Sequence, residues 1–95
     1  MSKPLATYNA TTGELRSNPE AFAEKNDYVA SIVWQAQVGQ VVSQGDTIAT
    51  IQWGNGIREP LDGPEGCNGK IKFLNRNVKY EDLEYTPSQL LARIS

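Results

Sequence analysis

From Tyr28 onward apolar and polar residues alternate with a period of two, and β-branched and aromatic residues fill each short run. A half-buried strand has that period because successive side chains leave it on opposite faces. Val29–Ala36, Thr47–Trp53, Ile57–Leu61, Lys70–Leu74 and Leu90–Ile94 therefore read as strands. The breaks fall at Gly39, Gly45, Gly54 to Gly56 and Gly63 to Gly69, and glycine supplies the positive φ that such turns use. A mainly β fold follows. Along Thr47–Trp53 the alternation puts Ala49, Ile51 and Trp53 on the face expected to be buried, and Ile48, Thr50 and Gln52 on the other. Trp53 is expected at the edge of the core, with its indole N–H in water.

Residues 1 to 27 read as an N-terminal appendage to a β domain spanning residues 28 to 95. Short extended pieces are expected around Leu5–Tyr8 and Glu14–Arg16, with a turn from Asn9 to Gly13. Asn18-Pro19-Glu20 marks a helix start, with Asn18 capping the free amides, and the helix should run about two turns through Lys25. A helix this short holds only when packed, and Phe22 and Ala21 are the residues to pack it.

The 95 residues suit a single domain, and 39% hydrophobic with 21% charged residues excludes a disordered or fibrous chain. A net charge of −2 with scattered lysines and arginines gives no footprint for nucleic acid. No apolar run approaches the roughly 20 residues that span a bilayer, so a soluble, cytoplasmic protein is expected, without a membrane partner. With one cysteine, Cys67, and no histidine, an internal disulfide, a Cys-His nucleophile and an imidazole metal site are all excluded. Cys67 reads as a passive small residue in a loop. No serine has a histidine base, and no glycine run has phosphate-loop spacing. The chain is therefore read as a non-enzyme without cofactor or metal. The acidic run from Lys79 to Tyr85 reads as a solvated loop.

The run Val38–Ile51, an extended strand into Pro60 and the restart at Gly69-Lys70-Ile71 resemble the biotinyl/lipoyl carrier domain, a barrel-sandwich hybrid. The resemblance spans roughly Tyr28 to Ile94. It implies a flattened β-barrel or sandwich of two small sheets, with each half of the chain contributing strands to both. An internal repeat agrees with this: Ser31-Ile32-Val33-Trp34 matches Lys70-Ile71-Lys72-Phe73, and Ile48-Ala49-Thr50-Ile51 matches Leu91-Ala92-Arg93-Ile94. An SH3-like barrel is the structural alternative.

Carrier members of that family present a modified lysine at a hairpin tip. The matching position here is Asn55, and the nearest lysines, Lys25 and Lys70, lie outside the hairpin. The resemblance therefore implies the architecture without biotin or lipoate. Asn55-Gly56 suits a two-residue turn with both residues at positive φ. Trp34, Trp53, Asn55 and Arg58 are the residues for a possible contact surface, although tryptophan in a small β domain is more often core. The function expected is a non-enzymatic interaction or structural module that binds a protein partner or itself. The alternatives are a subunit of a larger assembly, such as a viral structural or transport/secretion complex, or a small-ligand or metal-binding domain using Glu81 to Glu84 or Asp62 to Glu65.

Overall fold

The computed structural model describes residues 3–95; Met1 and Ser2, which open the expected appendage, lie outside the described residues. Eight strands and two short helices follow in the order β1 (Ala6–Asn9), β2 (Glu14–Ser17), α1 (Pro19–Glu24), β3 (Val29–Trp34), β4 (Val41–Val42), β5 (Thr47–Trp53), β6 (Arg58–Asp62), β7 (Gly69–Leu74), a 3-10 helix (Tyr80–Asp82) and β8 (Leu90–Ile94). Every strand pairing is antiparallel. One sheet has the order β1-β2-β8-β7-β4, and the other has β3-β5-β6.

The two halves of the chain interlock. β3 and β5 of the first half are completed by β6 of the second, while β7 and β8 of the second half are completed by β2 of the first. The internal repeat falls on equivalent strand pairs: Ile32 faces Ile51 across β3 and β5, and Ile71 faces Ile94 across β7 and β8. All four isoleucines are buried in one core shared by both sheets.

Described residues ahead of Tyr28 pack into the same fold. β2 lies between β1 and β8, and Leu5, Ala6, Leu15, Ala21 and Phe22 belong to the common core. The segment has the alternation of a strand pair, but its hydrogen-bonding partner lies more than seventy residues away. Ser17, buried and polar, is satisfied there: its N–H donates to the Gln89 carbonyl at 2.9 Å, and its Oγ accepts the Gln89 N–H at 2.8 Å.

Several local expectations are also corrected. Gln35 and Ala36 fall outside β3, because both amides donate to the Ile48 carbonyl instead of extending the ladder. Val41–Val42 forms a further strand between the breaks at Gly39 and Gly45, where none was expected. Asn18 starts α1 through its carbonyl, which accepts the Ala21 and Phe22 amides, while its side chain donates to the Pro4 carbonyl at 2.9 Å. Asn26, at φ 52°, lies just beyond the end of α1. Ile48 is buried beside Ala49 because the ladder between β5 and β6 shifts register between Thr47 and Ala49, turning both residues inward.

Candidate functional site

The end of β5 and the start of β6 form a hairpin whose tip is braced from outside. The Trp53 N–H donates to the Ile57 carbonyl, and the Gly56 N–H donates to the Trp53 carbonyl, both at 2.9 Å. Gly56 adopts φ 88° while Asn55 does not share the left-handed region. The connection is thus a three-residue loop, Gly54 to Gly56, ending in a left-handed glycine, and not the expected two-residue turn. The Asn55 side chain closes it by accepting the Ile57 N–H at 2.9 Å.

Asp27 and Tyr28 supply the brace. The Asp27 carboxylate accepts the Tyr28 N–H at 2.8 Å with one oxygen and the Asn55 N–H at 3.1 Å with the other. The Tyr28 carbonyl accepts the Gly54 N–H at 2.9 Å. The Tyr28 ring lies against Gly54 so closely that a Cβ at that position would overlap it. The ring is nevertheless 69% exposed.

Behind the tip, Trp53 is only 4% exposed and packs on Phe22 of α1, with ring centroids 5.8 Å apart at 52°. Its indole N–H does not remain in water: it donates to Glu59 Oε1 at 3.2 Å. The Lys25 ammonium reaches the same oxygen at 3.0 Å. Lys25 therefore comes beside the hairpin, but its charge is engaged at the side of the tip.

The acidic run is corrected as well. Instead of a solvated loop it forms the 3-10 helix and a turn, with Leu83 fully buried and Tyr80 packed against the core. Between this helix, α1 and the tip lies a cleft of about 280 Å³. Phe22, Trp53, Tyr80 and Leu83 line its interior, and Tyr28 stands at its mouth. Asp27, Glu81 and Glu84 add three carboxyl groups.

The four residues of the expected contact surface do not come together. Trp53 and Asn55 share the side groove where Lys25 meets Glu59. Arg58 is exposed on the outer face of the three-stranded sheet, beside Val33 and Gln52. Trp34 pairs with Ala49 and packs partly buried against the core, about 13 Å along β5 from Trp53 at ~3.3 Å per residue. Tyr28, Tyr80 and Leu83 were missed as site residues. Only the packing of two distant segments brings them together, and the sole local signal is the aromatic content of each.

The remaining candidates have structural roles. Cys67 is buried, and burial raises its thiol pKa, with the Asp46 charge adding to the effect. Asp62 accepts the Thr47 hydroxyl at 2.7 Å. Among the described residues no group of three or more Cys, Asp or Glu side chains is arranged to hold a metal ion. No described helix is long and apolar enough to cross a membrane. No family model, curated protein or solved structure matches the chain.

Proposed function

We propose that the chain is a non-enzymatic interaction module of biotinyl/lipoyl-like architecture that carries no acyl group and docks a protein partner through the cleft behind the hairpin tip. The observation that carries this reading is the exposed Tyr28 ring at the mouth of an aromatic cleft. Exposed tyrosine over an apolar pocket is the composition of a contact anchor, because a large rigid side chain buries much area at low entropic cost. The tip amides of Asn55 and Gly54 donate to the Asp27 carboxylate and the Tyr28 carbonyl, which makes that side of the cleft preorganised.

The architecture is supported by the interlocked halves and by the repeat falling on equivalent strand pairs. Two separate sheets favour it over the SH3-like barrel. The absence of an acyl group is supported by Asn55 at the tip and by the engagement of the Lys25 ammonium with Glu59.

Affinity capture from the native source, with intact-mass measurement of the bait, tests this reading. An unmodified bait is expected, with a companion retained by wild type and by Thr7→Ala on the far sheet but lost from Tyr28→Ala. Companions unaffected by Tyr28→Ala, or none at all, would overturn the docking role. A biotin or lipoate increment on the bait would restore carrier function.

A further inference from the structure

The geometry points to an arginine side chain, presented by a basic segment of a partner protein, as the occupant of the cleft; this rests on the cleft being the docking site. Size limits the occupant first. About 280 Å³ lies at the lower end of the ~300–1,000 Å³ of ligand pockets and is room for one inserted side chain.

Chemistry then selects the side chain. Four aromatic residues line the interior or mouth on separate segments: Phe22 from α1, Tyr28 ahead of β3, Trp53 at the end of β5 and Tyr80 from the 3-10 helix. Aromatic rings attract cations through their quadrupole, by about 0.5–2 kcal/mol according to desolvation. The charged side chains lining the cleft are Asp27, Glu81 and Glu84, all acidic. The nearest engaged cation, Lys25, lies in the adjoining groove, paired with Glu59.

Glu81, in the 3-10 helix, and Glu84, two residues past its end, both line the cleft. None of the ion pairs among the described residues involves either one. Two like charges held together without a counterion oppose folding slightly, and a bound cation removes that opposition. Asp27 is already fixed in place by the Tyr28 and Asn55 amides. A hard metal ion is the poorer occupant, because it needs six or more oxygen ligands and, among the described residues, no three carboxylates are arranged to hold one. A guanidinium is favoured over an ammonium since it is planar, weakly hydrated and stacks on aromatic side chains.

The experiment is an amide-resonance titration of the full chain with a capped hexa-arginine peptide and its uncharged hexa-citrulline counterpart. Arginine peptide should shift Tyr28, Val29, Leu83 and the Trp53 indole N–H, while the citrulline peptide should leave them in place at equal concentration. The exposed pair Glu81→Gln/Glu84→Gln should weaken binding at least fivefold, while Glu65→Gln, an exposed acid away from the cleft, should not. Shifts spread over other acidic surfaces, or equal weakening by Glu65→Gln, would overturn the proposal as non-specific attraction. Equal binding of both peptides in the cleft would overturn the cationic occupant and leave the docking role standing. If neither peptide shifts the cleft, the arginine proposal falls, and capture with Tyr28→Ala decides separately whether the cleft docks anything.

Discussion

Glu59 Oε1 receives both the Trp53 indole N–H and the Lys25 ammonium, so one carboxylate joins α1, β5 and β6 beside the cleft. Trp53→Phe keeps a ring against Phe22 but removes the donor and some volume. It should cost about 1–2 kcal/mol in urea denaturation, and a loss within error would mean that the indole N–H contributes nothing. Cys67 is a second residue whose environment is measurable. Burial is the main cause of its raised thiol pKa, and Tyr8 is raised too, by burial first and Cys67 second, while its hydroxyl donates to the Ile94 carbonyl at 2.6 Å. Both acids are held neutral in the fold, so the unfolded chain ionises first. Stability is therefore full below the unfolded thiol value of about 8.5 and falls as pH rises through the folded one. The urea midpoint should drop as pH rises above about 8.5, and Cys67→Ala should flatten that drop; a midpoint rising over the same range would contradict the assignment.

At the level of elements, β2 decides whether the first two dozen residues belong to the fold. Leu15 is fully buried and β2 pairs with β8, so Leu15→Ala should cost about 2–5 kcal/mol, a large share of the ~5–15 kcal/mol that a small domain has. An appendage would lose nothing, and calorimetry distinguishes the two. The extended piece at Glu14–Arg16 was legible, but its place in the sheet was not, for a physical reason. Glu14–Ser17 has only four residues of alternation, and its partner, Leu90–Ile94, is remote in sequence. β5 was legible because its alternating residues sit between Gly45 and Gly54, and β7 because an alternating run restarts at Gly69. β4 was not, since two residues carry no period. The hairpin tip was legible as a turn but not in its loop length, because Asn55-Gly56 serves a two-residue or a three-residue loop equally well. The cleft was illegible for the same reason as β2: Tyr28 and Leu83 come to line it only through the packing of the 3-10 helix on the remote β3.

The whole molecule is one core shared by two sheets, each holding strands from both halves of the chain. Ile51 and Ile94 lie in different sheets, yet Ile51→Ala and Ile94→Ala should each lower the stability of both together. Tryptophan fluorescence, which reports the three-stranded sheet, and far-ultraviolet circular dichroism should give one coincident transition in each variant. Separate transitions would mean that the sheets unfold as independent units. The interlock also sets a timetable during translation. β2 leaves the ribosome early, but its neighbour β8 emerges more than seventy residues later, which is roughly 4–15 s at ~5–20 residues per second. Until then Leu15 has no β8 to pair with, and the open side of β2 is available to any other strand nearby. For a nascent chain of this kind the interval before β8 arrives, more than the finished fold, sets the demand for chaperones.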